Sequence, residues 1–215
     1  MKIKVKICGI TSNEDLVTAV EAGADAVGFV VNVPSSPRNL TLGEAERLMK
    51  NTPVFVKNVV VTVPKRLSEL IEIYERLKPD ILQVHGHNLS GSVIREKLAN
   101  TRLIRAIQVK SNHAVGEAVK AANTFDAILV DSFVADKFGG TGKVHDWELS
   151  KRVRQKVHPK PLILAGGLNP ENVQDAVRVV KPYAVDVSSG VESQLGIKDS
   201  KKVFEFIKNA KEVEI

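Results

Sequence analysis

The chain has 215 residues, 43% of them hydrophobic and 26% charged, a composition that fits a globular protein with one sizeable core. No apolar run reaches the ~18 residues of a membrane span, the N-terminus shows no signal-peptide stretch, and the single cysteine excludes an internal disulfide, so a cytoplasmic protein without a membrane partner is expected. The net charge of +6 admits nucleic acid and anionic metabolites, but lysines and arginines interleave with acids, as in Lys65-Arg66-Leu67-Ser68-Glu69, and 5% aromatics give no base-stacking platform, so nucleic acid is not expected as a partner.

In chain order, short apolar runs rich in β-branched residues alternate with longer amphipathic stretches. Ile3 to Cys8 predicts the first strand, and Ser12-Asn13-Glu14-Asp15 starts a helix after it. Ala26 to Val31 is the second strand, followed by the polar loop Ser35-Ser36-Pro37-Arg38 and a helix start at Thr41-Leu42-Gly43-Glu44. Val54 to Thr62 is the third, with Pro64 opening a helix, and Ile81 to Val84 the fourth, ending on His85-Gly86. Leu103 to Val109 precedes a helix start at Asn112, and Ala127 to Val130 leads into Asp131-Ser132. The last two runs are Leu162 to Leu164, before Gly166-Gly167 and the helix start Asn169-Pro170-Glu171, and Ala184 to Val187, before Ser188-Ser189-Gly190 and a helix opened by Asp199.

Eight such modules without a linker or low-complexity block predict one (β/α)8 barrel domain over residues 1–215, with a doubly wound open sheet as the alternative. Ala24-Asp25-Ala26-Val27, Pro79-Asp80-Ile81-Leu82, Phe125-Asp126-Ala127-Ile128 and Pro182-Tyr183-Ala184-Val185 echo one another where a helix closes and a strand begins. A barrel places its site on the loops after the strands, which is where the polar and glycine residues of this chain gather.

Gly166, Gly167 and Ser188-Ser189-Gly190 fall in the adjacent loops after strands 7 and 8, where bare backbone N–H groups cradle phosphate; the alternative for the glycines is a plain tight turn. Gly139-Gly140-Thr141-Gly142-Lys143 matches neither a P-loop nor a dinucleotide fingerprint, and its position suits a loop that closes over a ligand. Cys8 reads either as a small buried hydrophobe or as a nucleophile or base at a strand end. Asp131 is a loop cap or an acid, and Asp186, within strand 8, a buried structural or orienting carboxylate. Arg38 is an exposed loop residue or a carboxylate clamp, and His85 a core histidine or a donor to substrate. The five histidines make no metal-ligand spacing, so no metal is expected.

Taken together, Lys6-Ile7-Cys8-Gly9-Ile10-Thr11, Gln83-Val84-His85-Gly86, Gly139 to Lys143 with Asp146-Trp147, Ala165-Gly166-Gly167-Leu168-Asn169-Pro170 and Val185-Asp186-Val187-Ser188-Ser189-Gly190-Val191-Glu192 resemble phosphoribosylanthranilate isomerase, nearly end to end and in that family's order. The resemblance implies a (β/α)8 enzyme of tryptophan biosynthesis that needs no cofactor and performs an Amadori rearrangement on a small-molecule substrate, phosphoribosylanthranilate. It implies Asp131 as general acid, Cys8 as general base, Arg38, His85 and Asp186 as substrate-binding residues, and Gly142, Gly166, Gly167, Ser188, Ser189 and Gly190 around the phosphate. It is compatible with a homodimer as well as a monomer. The third strand, Lys57-Asn58-Val59-Val60-Val61-Thr62, lacks an aromatic and a glycine common in that family, and Val31-Asn32-Val33-Pro34 replaces a more aromatic run. Competing readings are a related aminoaldose isomerase of histidine biosynthesis, expected to use paired aspartates, an indole-forming synthase, expected to use a lysine, and a barrel that only binds phosphorylated ligands.

Overall fold

The computed structural model describes residues 2–131 and 147–214. Among these, eight parallel strands form a closed ring: β1 (Lys4–Cys8), β2 (Ala26–Val31), β3 (Lys57–Thr62), β4 (Ile81–Val84), β5 (Arg102–Gln108), β6 (Ala127–Asp131), β7 (Leu162–Leu164) and β8 (Ala184–Val187). Each strand pairs with its successor, and β1 pairs with both β2 and β8. That closure excludes the open doubly wound sheet. The helices α1 (Asn13–Glu21), α2 (Leu42–Lys50), α3 (Leu67–Leu77), α4 (Gly91–Lys97), α5 (His113–Ala122), α6 (Trp147–Val157), α7 (Val173–Val180) and α8 (Ser200–Glu212) fall between and after the strands, completing a (β/α)8 barrel. No helix among the described residues is long and apolar enough to cross a membrane.

Local chemistry explains most boundaries. Ser12 caps α1 by accepting from the Asp15 N–H, Thr41 and Glu44 form a reciprocal capping box on α2, and Asp199 accepts from the Lys202 N–H at the head of α8. Other start signals are displaced. Asn169 accepts from the N–H groups of Glu171 and Asn172 and so shapes a turn, and α7 begins only after Asn172. The third strand also begins later than the apolar run suggests. Val54 and Phe55 lie outside it, 89% and 95% exposed, because β2 offers its first register partner, Ala26, to Lys57. Apolar character without a neighbouring strand does not make a ladder.

The main apolar core lies between the strands and the helices and includes Ile7, Phe29, Leu70, Ile73, Leu103, Val177 and Phe206. Inside the ring, Ile104, Ala106, Leu129, Ile163, Ala165 and Ala184 form one apolar cluster, and Val59, Val61 and Cys8 another. Lys6, Gln83 and Asp186, on β1, β4 and β8, are buried polar residues.

The N-terminal end of the barrel repeats one device. Asp25, Asp80 and Asp126, each just before a strand, accept the N–H of Val5, Asn58 and Leu103 on the neighbouring strand and pair with Lys4, Lys57 and Arg95 at 2.8, 2.8 and 2.7 Å. Three of the four echoed sequences thus share a physical task. Each carboxylate clips one βα unit to the next.

Candidate active site

Alternation along β1 turns Lys6 and Cys8 to the same face, and the packing of Cys8 against Val59 and Val61 shows that this face looks into the barrel. Room for both comes from Gly28 on β2, directly paired with Cys8: a Cβ there would sit 2.9 Å from the Cys8 sulfur and 3.0 Å from Lys6 Cε. The Lys6 ammonium, 5% exposed as a residue, lies 3.0 Å from each oxygen of Asp186, its register partner on β8, and reaches 3.0 Å to Gln83 Oε1 on β4. Burial opposes the charge on Lys6, but the Asp186 carboxylate and the nearby thiol outweigh it and raise its pKa. Burial pushes the Cys8 thiol up, against the pull of Lys6 and Lys198.

Because Gln83 gives its oxygen to Lys6, its amide nitrogen faces His85 Nε2, 2.9 Å away. Burial and the Lys6 and Arg105 charges lower the His85 pKa to about 4, so the ring is neutral near pH 7. A neutral ring that accepts at Nε2 carries its proton on Nδ1. The sequence Asp186, Lys6, Gln83, His85 is therefore one hydrogen-bonded chain across the barrel that fixes a tautomer.

Asp131 is the last residue of β6, two positions beyond the inward-facing Leu129, so it takes the same face at the mouth of the barrel. Three strand steps around the ring separate it from Cys8.

Arg38 sits in the loop after β2. That loop turns at Asn32, whose φ of +56° a short polar side chain tolerates, and returns as Asn39–Leu40 alongside β2. Ser36 holds the Arg38 backbone N–H at 3.2 Å, and the Arg38 guanidinium donates through Nε and Nη2 to both oxygens of Glu192, each at 2.6 Å. Lys198, on the hairpin that follows β8, reaches Glu192 Oε1 at 2.9 Å and the Ser188 carbonyl at 3.2 Å. Burial raises the Glu192 carboxyl, yet the hydrogen bonds from Arg38 and the Lys198 charge bring it below its ordinary value. Two of the guanidinium's three nitrogens are thus used to fix it, leaving the Nη1 hydrogens for a ligand.

Gly166 and Gly167 take consecutive positive φ values of +86° and +66°, a backbone that glycine adopts without strain and that leaves the turn bare of side chains. Asn172 ties the turn down by donating to the Gly167 carbonyl at 2.9 Å and accepting from the Asn169 N–H at 2.9 Å. Gly190 packs against the Leu168 carbonyl, where a side chain would collide, so the Ser188-Ser189-Gly190 turn lies against the loop after β7. The structure brings together these five of the six residues expected around a phosphate; Gly142, with its neighbours from Gly139 to Lys143, lies outside the described residues.

Four residues of the site were not singled out from the sequence: Lys6, Gln83, Glu192 and Lys198. For Lys6 and Gln83 a signal existed. Each is a polar residue inside an apolar strand, two positions before a candidate, and strand alternation puts them on the same inward face. Glu192 and Lys198 meet only through the hairpin, which carries no comparable local pattern.

Known proteins share this architecture. A family profile described as N-(5'phosphoribosyl)anthranilate (PRA) isomerase matches residues 5–209. The N-(5'-phosphoribosyl)anthranilate isomerase of Methanothrix thermoacetophila is 44% identical, with 97% of this chain and 98% of that protein covered. The crystal structure of phosphoribosyl anthranilate isomerase from Thermotoga maritima superposes with a TM-score of 0.88 at 39% identity, covering 98% of this chain and 100% of that one. A structure of the isomerase in complex with reduced 1-(o-carboxyphenylamino)-1-deoxyribulose 5-phosphate superposes with a TM-score of 0.84 at 37% identity, covering 98% of this chain and 100% of that one. This chain belongs to the N-(5'-phosphoribosyl)anthranilate isomerase family and is an enzyme of that type.

Proposed function

We propose that this protein catalyses the Amadori rearrangement of N-(5-phosphoribosyl)anthranilate to 1-(2-carboxyphenylamino)-1-deoxyribulose 5-phosphate, in tryptophan biosynthesis, within a single cytoplasmic barrel domain. The observation that carries this reading is the placement of a thiol and a carboxylate, Cys8 and Asp131, on the inward faces of two separate strand ends beside the adjoining loops after β7 and β8. An aldose-to-ketose shift asks for one proton donor and one proton acceptor on either side of a held sugar phosphate.

Asp131 delivers a proton to the furanose ring oxygen. The bond from that oxygen to C1 breaks, and the nitrogen lone pair closes a C1=N iminium. The positive nitrogen acidifies the proton on C2, which the Cys8 thiolate takes; the electron pair moves into C1=C2 and neutralises the nitrogen. Protonation of C1 and loss of the hydroxyl proton at C2 complete the ketone. No net proton or electron is gained.

Arg38 meets the anthranilate carboxylate with the edge that Glu192 leaves open, His85 offers its Nδ1–H to the sugar, and Asp186 accepts from a sugar hydroxyl with lone pairs that Lys6 does not use. The turns at Gly166-Gly167 and Ser188-Ser189-Gly190 surround the phosphate, and the family resemblance adds Gly142 to that set. The test is a fluorescence assay following loss of freshly generated phosphoribosylanthranilate. Turnover by the folded protein is expected, and Cys8→Ala and Asp131→Ala each lower kcat at least about a hundredfold, the usual scale for a lost acid or base. A folded protein with no turnover, or a near-normal kcat in either variant, overturns the corresponding assignment.

A further inference from the structure

We infer that Lys6, clamped by Asp186 and Gln83, is the positioning residue that stabilises the Cys8 thiolate, an inference that rests on the reading of Cys8 as the base. A thiol buried against Val59 and Val61 resists ionisation, and a base at that spot needs a cation that cannot swing away. Lys6 meets that need. It stands two residues earlier on the same face, shares the space beside Gly28 with the sulfur, and is held at 3.0 Å by both Asp186 oxygens and by Gln83.

The surrounding charges are mixed, with the cations in excess. From β1 comes Lys6, from β8 Asp186, from the hairpin Lys198 and Glu192, and from the loop after β2 Arg38, while His85 on the β4 side is neutral. Among the described residues, three cations share two carboxylates. The thiolate is the anion that completes the set, and Lys6 is the one cation of the three held on its own strand face. Lys198 and Arg38 both converge on Glu192 instead.

Cys8 is the only cysteine in the chain, so alkylation by iodoacetamide reports on it alone. Its rate in the full-length protein, followed against pH, separates ionisation, which sets the midpoint, from access, which sets the plateau. Lys6→Met is expected to raise the midpoint by about one pH unit or more, slowing alkylation near pH 7 about tenfold. Asp186→Asn removes a carboxylate that opposes the thiolate and is expected to lower the midpoint. A merely loosened site changes the plateau and does not drive two midpoints in opposite directions. Should Lys6→Met fail to fold with Asp186 left unpaired, the double variant Lys6→Met/Asp186→Asn removes both charges, and its midpoint must still lie above that of the unaltered protein. Unchanged midpoints, or shifts of the same sign in the two single variants, overturn the inference. Full turnover by Cys8→Ala would instead sink the base assignment and leave the alkylation result standing.

Discussion

The two ends of this barrel use the same residue types to opposite effect. At the N-terminal end, Asp25, Asp80 and Asp126 pair with lysine or arginine with 24%, 35% and 31% of their side chains exposed. At the C-terminal end, Asp186 and Glu192 pair with Lys6 and Lys198 with 7% and 5% exposed. Water screens the first set, so each pair adds little beyond the backbone N–H it anchors. The second set has lost its water, so removing one partner strands a charge and costs far more. A ring of clips can be built cheaply in solvent. Charges that are to act strongly on a neighbouring group have to be built dry.

The sharpest way to break that comparison is Arg38. If the dry end exists to meet a ligand, Arg38→Ala raises KM about tenfold to a hundredfold, the worth of a lost charge-assisted pair, with a smaller change in kcat. Arg38→Lys behaves nearly as badly, because a point charge cannot hold Glu192 with two parallel bonds and still present an edge to a carboxylate. Steady-state kinetics on both variants decide it. A KM within twofold of the unaltered protein would place the carboxylate elsewhere.

Acid sharpens the contrast next. His85 takes up its proton only near pH 4 when folded, against about 6.5 in an unfolded chain, so the unfolded state binds more protons throughout that window. Stability is therefore lost as pH falls from 6.5 towards 4, by roughly 2 kcal/mol at pH 4.5 once the partly open position of the ring is allowed for. Urea unfolding at pH 7 and pH 4.5 measures it. His85→Gln is expected to lose less over the same interval, and an equal loss would mean that the ring is not held neutral.

The same contrast explains what the sequence made legible. Strand period and the loop polarity after each strand placed the barrel and brought Cys8, Asp131, Arg38, His85 and the glycine turns to one end, because alternation and chain order act locally. The apolar run starts before β3 does because Val54-Phe55-Val56 has no strand beside it, a fact of neighbours rather than of residues. Lys6 meets a related limit. Strand alternation puts it on the inward face with Cys8, but its charge has no visible partner until Asp186, 180 positions away, is seen in register with it. Glu192 and Lys198 likewise acquire meaning only once the hairpin folds them onto Arg38.

The smallest expected effect belongs to the wet end, and there the comparison is tested by what does not change. Asp126 accepts from the Leu103 N–H at 2.8 Å and from Arg95 at 2.7 Å. Burial works against its carboxylate, but those bonds and the Arg95 and Arg102 charges hold its pKa below the ordinary value. Its contribution is thus present above the unfolded carboxyl pKa and fades as pH falls through the folded one. Asp126→Asn keeps an oxygen for Leu103 and loses the ionic part, so at pH 7 it costs about 1 kcal/mol, or about 2–4 °C in Tm for a chain of this size. Turnover at pH 7 stays within twofold, because the clip lies at the end of β5 and β6 away from Asp131. A loss of kcat comparable to that of the mouth residues would mean that the two ends are mechanically coupled, and that the clips help to set the strand register on which Cys8 and Asp131 depend.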